Sequence, residues 1–220
     1  MNALGWLRTA LVGLLLLAWM LASHLGSIGK GPADLNAAVA IAPVLLAFGI
    51  VIARTCAPVW RVVLWLLCLA LLWALWPVLR TQIALLHYLP HLGVHLALAA
   101  WFGASLRGDG DPLITRFARH SMGQYLSPAK LRYTRQATLA WTLYFVINAA
   151  VSTGLFLWAP REVWSVYGNM LTGPLVGLMF VLDALWRRVV LPPHERPTLK
   201  MVVQSYRQDL ARRRATREPT

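Results

Sequence analysis

The sequence predicts an all-α integral membrane protein, built as a bundle of about six transmembrane helices. Of its 220 residues, 58% are hydrophobic and only 13% are charged, whereas a soluble domain is about half apolar and about a quarter charged. Its apolar stretches are also long enough for the roughly 20 helical residues that a bilayer requires. One bundle fills this length, so we expect no second large domain.

The six predicted spans follow one another along the first 186 residues. Their approximate limits are 6–25, 35–53, 60–79, 83–102, 137–158 and 163–186. Asp34 stands before the second span in a position that suits a helix N-cap. The first span has the apolar character of a signal peptide, but no small-x-small cleavage site follows it. We therefore expect it to remain as a membrane anchor.

The basic residues predict the orientation. The chain has 21 of them, and only Lys30, Arg80 and Arg161 fall in the second, fourth and sixth of the seven segments outside the spans. The other eighteen fall in the alternate segments or within three residues of them, and such an excess marks the cytoplasmic side. The pattern predicts a multi-pass protein of the bacterial inner membrane with both termini in the cytoplasm. It also explains the net charge of +13 without a nucleic-acid partner.

Two basic segments should lie in the cytoplasm, namely the loop 103–136 and the tail 187–220. In the loop, Asp111 and Pro112 have the residue types of an N-cap and first position, which predicts a short helix over 112–122. Ser127 and Pro128 repeat this signal for a second helix that runs into span five. The tail predicts a helix over about 198–213, followed by a frayed basic end.

The short loop helix should be amphipathic. Leu113, Ile114 and Phe117 share one side of it, and basic residues flank them, a pattern typical of helices that lie on a membrane surface. Two partners suit the cations of the loop: the anionic headgroups of the bilayer and an acidic cytosolic protein. The cations in question are Arg116, Arg119, Lys130, Arg132 and Arg135.

The stretch "HYLPHLGVH" places three histidines in span four. His87, His91 and His95 recur every fourth residue and form a slowly turning stripe on a helix. Such imidazoles can bind zinc or, paired with His24, a haem. However, the stretch lacks the glutamate of an H-E-x-x-H motif, span four holds no carboxylate, and the stripe turns by about 40° per step. We expect no cofactor and no tightly held metal, and no catalytic residue stands out.

The polar stripe of span five is the expected partner of these histidines. Tyr144, Asn148 and Ser152 follow one another at every fourth residue, and spans four and five run in opposite directions. His95 is therefore predicted to meet Asn148, and His91 to meet Ser152 or Thr153. The six residues form either a packing seam between helices or a polar cleft that admits a lipid headgroup or a phenol. Near the inner end of span six, Asp183 is predicted to pair with Arg187.

The second half of the chain carries a resemblance to a known family. The segments "LITRFAR", "RYTRQATLAW" and "GPLVGLMFVLDALWRRVVLPPHERPTL" resemble polytopic bacterial inner-membrane proteins often encoded in aryl polyene biosynthesis gene clusters. The resemblance covers about 111–199 and carries no catalytic residues. It implies a pathway that makes lipid-like polyketides beside acyl carrier proteins, ketosynthases and acyltransferases.

The sequence thus leaves three hypotheses for function. The first is a non-enzymatic inner-membrane component of an aryl-polyene or related pathway, which scaffolds acyl-carrier enzymes or hands product to the membrane. The second is an integral-membrane enzyme that uses the histidines of span four. The third is a small lipid transporter or flippase.

Overall fold

The computed structural model describes residues 3–122 and 126–193, and every regular element in these ranges is helical. The predicted tail helix over 198–213 lies outside the described residues. The helices are α1 (Ala3–Ser27), α2 (Ala33–Thr55), α3 (Pro58–Leu79), α4 (Ile83–Ala104), α5 (Leu113–Met122), α6 (Pro128–Trp158), α7 (Arg161–Ser165) and α8 (Thr172–Val190), with a π-helical segment over Val166–Leu171 between the last two.

Six helical stretches in this part of the chain are long and apolar enough to cross a membrane. They are α1, α2, α3, α4, α6 and the continuous run Arg161–Val190. The all-α class is confirmed for the described residues, and the six candidate spans agree in number with the prediction. The largest difference in limits concerns span five, since α6 begins at Pro128 rather than near residue 137. The additional turns are the second loop helix expected from Ser127 and Pro128. The Ser127 hydroxyl indeed caps α6 by accepting the Lys130 N–H at 3.1 Å.

Two predicted N-caps are wrong by one or two residues. α2 begins at Ala33 after an N-cap at Pro32, and the carboxylate of Asp34 instead accepts a hydrogen bond from Trp76 Nε1 at 2.9 Å. At the start of α5, the Pro112 carbonyl accepts the first helical N–H, that of Arg116, and Asp111 pairs with Arg119. In both places a side-chain donor, the Trp76 indole of α3 or the Arg119 guanidinium of α5, binds the carboxylate that the local sequence assigns to capping.

The first N–H groups of α5 are satisfied from other helices. Ser105 Oγ accepts the Leu113 N–H at 3.0 Å, and Thr138 Oγ1 accepts the Ile114 N–H at 3.3 Å. Thr115 and Thr134 are bonded to each other through their hydroxyls at 2.7 Å. The apolar start of α5 therefore packs on the protein, while Phe117 remains 55% exposed.

The π-helical segment has a cause in the sequence. Pro174 has no N–H to donate, and its ring crowds the carbonyl four residues earlier, at Met170. The backbone relieves this conflict by widening the turn that precedes the proline. Thr172 adds support, because its hydroxyl lies within hydrogen-bonding distance of the Gly168 carbonyl at 3.0 Å and the Tyr167 carbonyl at 3.2 Å.

The chain divides into two compact units. Among the described residues, the first unit comprises 3–94 together with Asn148–Leu175, and the second comprises 95–122, 126–147 and 176–193. In the first unit, small residues of α1 and α2 pack closely, and Gly26 has the Asn36 side chain 3.1 Å from the place a Cβ would take. In the second, Ala99, Trp141 and Phe145 form one buried cluster, and Tyr133, Ala137 and Leu191 form another.

Candidate functional site

His91 is held by hydrogen bonds at both ring nitrogens. Nδ1 lies 3.1 Å from Ser152 Oγ of α6, and Nε2 lies 3.1 Å from Thr172 Oγ1 of α8. Trp164 Nε1 donates to the same Ser152 hydroxyl at 3.1 Å. The predicted contact of His91 with Ser152 is therefore present, and it extends into a chain that joins four helices of the first unit.

Counting protons assigns the donor and the acceptor of each hydrogen bond in this network. A carbonyl oxygen only accepts, so the Thr172 proton goes to the carbonyl of Gly168 or Tyr167, and Thr172 must accept from His91 Nε2–H. His91 Nδ1 then accepts from Ser152, whose oxygen accepts from Trp164. A neutral imidazole therefore satisfies both of these hydrogen bonds, with Nε2 as donor and Nδ1 as acceptor. A metal at His91 would have to displace Ser152 or Thr172.

An aromatic cluster surrounds the chain. Tyr88 stacks on Phe156 with ring centroids 4.0 Å apart, and Trp164 meets both rings edge-on at 6.0 and 5.4 Å. Trp164 is only 2% exposed. Tyr88 also donates its hydroxyl proton to Thr153 Oγ1 at 2.9 Å. These contacts fix the histidine-bearing turn of α4 against α6 and α7.

The remaining predicted cleft residues have different surroundings. Asn148 Oδ1 accepts a hydrogen bond from the Tyr167 hydroxyl at 2.7 Å, and Asn148 is buried. Tyr144 belongs to the second unit, where it packs against the cluster of Trp141 and Phe145. His95 also belongs to the second unit, where it is buried and meets Phe145 edge-on at 6.1 Å.

A second polar network lies where α1 packs against α7 and the π-helical segment. Ser165 Oγ is 2.8 Å from His24 Nδ1 and 2.5 Å from Ser27 Oγ. The amide nitrogen of Asn169 donates to Ser165 at 3.1 Å and to Ser27 at 3.2 Å. The Ser165 and Ser27 side chains are buried. This network brings the Ser165 hydroxyl to within 2.8 Å of the His24 imidazole.

His87 differs from His91 in having a ring nitrogen without a partner. Its Nδ1 lies 3.0 Å from the Ile83 carbonyl, which can only accept, so Nδ1 carries the proton. In the neutral ring Nε2 is then a bare acceptor. It is buried and makes no hydrogen bond with any residue of the described ranges, and the residue is 8% exposed.

An ionic network ties α6 to α8 in the second unit. The Tyr133 hydroxyl donates to Asp183 Oδ1 at 2.8 Å and accepts from Arg187 Nε at 2.9 Å. Arg187 Nη2 also donates to Asp183 Oδ2 at 2.9 Å, which confirms the predicted pair of Asp183 and Arg187. Each charged group thus has an opposite charge and a phenol as neighbours.

The basic residues of the loop differ in how much of their charge is balanced. Arg119 forms an ion pair with Asp111. Lys130 is partly buried at the first turn of α6, where its backbone N–H reaches Ser127. Arg116, Arg132 and Arg135 are exposed. Three of the five predicted partner-contact residues therefore present open guanidinium groups to the surroundings.

Residues 3–122 and 126–193 hold no group of three or more histidine, cysteine, aspartate or glutamate side chains arranged to bind a metal. Comparison of the chain with protein-family profiles, with curated proteins and with solved structures finds no match. The resemblance to the aryl polyene cluster proteins therefore stays a prediction.

Sequence reasoning missed the residues that complete both polar networks, namely Trp164, Ser165, Tyr167, Asn169 and Thr172. They lie in or beside the π-helical segment, where the wide turn breaks the residue spacing of a regular α-helix. A signal was available in the cluster of polar residues that precedes Pro174, a proline that removes a backbone donor.

Proposed function

We propose that this protein is a non-enzymatic component of the bacterial inner membrane, with both termini in the cytoplasm, that serves an aryl-polyene or related lipid-like polyketide pathway. It scaffolds acyl-carrier enzymes at its cytoplasmic face or hands their product to the membrane. The resemblance of its second half supplies the pathway. Six apolar helices support the membrane setting.

The observation that carries the scaffolding role is the exposed basic surface of Arg116, Arg132 and Arg135. Their charges are free to act on an approaching acidic protein such as an acyl carrier, and such complementarity raises association rates. Anionic headgroups are attracted as well, by about 1 kcal/mol for each basic residue near the surface. The bilayer is therefore a partner in either case.

The test combines gene deletion with charge variants in a pigment-producing host. Deletion should stop the pathway at a definite intermediate. An accumulated carrier-bound acyl chain supports scaffolding, whereas a finished lipid that never leaves its site of synthesis supports hand-over or translocation. Unchanged pigment with no accumulated species contradicts the proposal.

Two matched triple variants distinguish docking of the acyl carrier from a general effect of the protein's net charge. Replacing Arg116, Arg132 and Arg135 together by Gln should lower both product yield and cross-linking to the acyl carrier several-fold. The control replaces Lys30, Arg80 and Arg161 by Gln. It removes the same charge and favours the predicted orientation, so it should leave yield and cross-linking near wild type. Equal losses in the two triple variants contradict docking.

A second candidate function is acyl transfer, favoured by the 2.8 Å approach of Ser165 Oγ to His24 Nδ1. A hydroxyl within reach of an imidazole is the arrangement of an activated nucleophile. Ser165→Ala should abolish product formation if Ser165 carries the acyl group, while Ser27→Ala, which removes a hydroxyl from the same network, should retain it. Similar modest losses in both variants indicate packing alone.

A further inference from the structure

An open apolar groove runs along the second half of α3. None of the residues Pro58–Leu79 is buried, and Trp73 is 83% exposed. The groove has a volume of about 640 Å³ and is lined by Leu72, Trp73, Ala74, Trp76 and Pro77. Because α3 is long and apolar enough to cross a membrane, the groove opens to the hydrocarbon of the bilayer, and a lipid acyl chain fits it.

Two opposite charges lie at the end of this groove. Trp76 Nε1 donates a hydrogen bond to Asp34 Oδ1 at 2.9 Å, and Arg80 Nη1 lies 3.6 Å from the same oxygen. Trp73, Pro77 and Arg80 stand at positions i, i+4 and i+7, which share one face of a helix. Arg80 keeps a helical backbone, with φ −67° and ψ −16°. The ion pair therefore continues the groove toward the end of the span.

The ion pair leaves both of its partners able to bind a ligand. Its N···O distance of 3.6 Å exceeds that of a hydrogen bond, so the Arg80 guanidinium keeps N–H groups for another acceptor. Trp76 uses only one of the two carboxylate oxygens of Asp34. The Asp34 and Arg80 side chains are 62% and 51% exposed, so a ligand at the surface of the helix reaches both.

A zwitterionic phospholipid headgroup matches this arrangement of charges. A primary ammonium donates charge-assisted hydrogen bonds to the Asp34 carboxylate, and the phosphate accepts them from the Arg80 guanidinium. A quaternary ammonium has no N–H to donate, and an anionic headgroup brings its negative charge to Asp34 without a cation to offset it. The indole of Trp76 suits the headgroup level of a bilayer.

We infer that α3 binds a phospholipid of the phosphatidylethanolamine type, with its ammonium on Asp34, its phosphate on Arg80 and an acyl chain in the groove. This inference goes beyond the proposed function. Asp34 and Arg80 stand in segments predicted to be periplasmic, whereas the exposed arginines proposed to dock the acyl carrier stand in a loop predicted to be cytoplasmic. Loss of the lipid should therefore leave docking unchanged, and either proposal can fail without the other.

Native mass spectrometry of the full chain tests the inference. The protein in detergent is titrated separately with phosphatidylethanolamine, phosphatidylcholine and phosphatidylglycerol of identical acyl chains, and the affinity for the first bound lipid is measured. The wild type should bind phosphatidylethanolamine about tenfold more tightly than either of the others, because only its headgroup hydrogen-bonds to both charges as an ion of opposite sign.

Single variants distinguish the two ends of the headgroup. Asp34→Asn should remove most of the preference for phosphatidylethanolamine over phosphatidylcholine, since the carboxylate receives the ammonium protons. Arg80→Gln should weaken both lipids by a similar factor of about ten, since both carry the phosphate. Asp109→Asn and Lys30→Gln are the controls of matched charge. Both residues are exposed and lie outside the groove, so these variants should bind each lipid as the wild type does.

Equal affinity of the wild type for the three lipids contradicts the inference and indicates a groove that takes any acyl chain. An unchanged preference in Asp34→Asn contradicts the assigned ammonium site. Equal losses of affinity in the controls and in the groove variants indicate a general effect of charge. The comparison of three lipids on the wild type needs no substitution, so it remains decisive if a variant fails to fold.

Discussion

Two of the hydrogen-bonded networks that tie helices of this protein together differ in charge. The chain through His91 in the first unit uses hydroxyl, indole and imidazole groups and closes with a neutral ring. The network of Tyr133, Asp183 and Arg187 in the second unit uses a full ion pair. Arg187 is one-third exposed, near the end of its span. A charged group costs less free energy where water reaches a helix end. This explains why the network of Arg187 contains an ion pair and the network of His91 does not.

This comparison assumes the predicted membrane orientation, and it fails if that orientation is wrong. Reporter fusions after Arg107 and after Thr220 should both read cytoplasmic, because eighteen of the 21 basic residues lie in, or within three residues of, the segments predicted to be cytoplasmic. A fusion within the connection at Lys30 should read periplasmic and serves as the control. A periplasmic signal at either of the first two positions would place the ionic network at the outer face instead.

The largest stability effect is expected from Trp164→Ala in the neutral network. The indole is buried among Tyr88, Phe156 and His91 and donates to Ser152, so truncation should lower the free energy of unfolding by about 3–5 kcal/mol. Denaturant unfolding in detergent micelles measures it. Trp158→Ala is the control, since that indole is 83% exposed. Equal losses in the two variants would contradict a core role.

A smaller loss is expected from Asp183→Asn in the ionic network. The variant leaves Arg187 without its carboxylate; a buried broken pair costs about 3–5 kcal/mol, and partial exposure of Arg187 reduces this to about 2 kcal/mol. Asp34→Asn is the matched control, because its pair with Arg80 is exposed at 62% and 51% and should contribute at most about 1 kcal/mol.

The two ion pairs should also differ in how their contributions to stability depend on ionic strength. Raising the ionic strength should erase the small effect of Asp34→Asn and leave most of the effect of Asp183→Asn, since surface charges are screened more than partly buried ones. Equal salt dependence of the two variants would mean that Asp183 is as hydrated as Asp34.

The smallest effect is expected from the single bond between His91 and Ser152. A double-mutant cycle of His91→Ala and Ser152→Ala should give a coupling of about 0.6 kcal/mol, the average for hydrogen bonds between membrane helices. Thermal unfolding in nanodiscs measures the four proteins of the cycle. A coupling above about 2 kcal/mol would show that the chain acts as a unit and not as separate bonds.

The sequence predicts the helices well because a bilayer imposes a length. Apolar stretches of about 20 residues give all six spans, and Ser127 with Pro128 gives the true start of α6. The contact of His91 with Ser152 follows from two antiparallel stripes, and the pair of Asp183 with Arg187 follows from helical spacing. Each of these predictions uses one helix or two consecutive ones.

The rest could not be predicted, because it depends on helices distant in sequence. Ser165 is 141 residues from His24, and Thr172 is 81 residues from His91. No periodicity in one helix indicates which face of another it meets. The cap assigned to Asp34 failed for the same reason, since Trp76 of α3 binds its carboxylate. The cap assigned to Asp111 failed for a local reason, because Arg119 of α5 forms an ion pair with it.

The wide turn over Val166–Leu171 also affects how relatives of this chain should be aligned. Such a turn holds about one residue more than an ordinary helical turn, so a helical wheel drawn straight through it misplaces later residues by about 100°. In an alignment, a relative with a regular turn here should show a one-residue gap. Where that gap coincides with loss of Pro174 or Thr172, we expect the relative to have replaced the polar contacts of His91 with other packing.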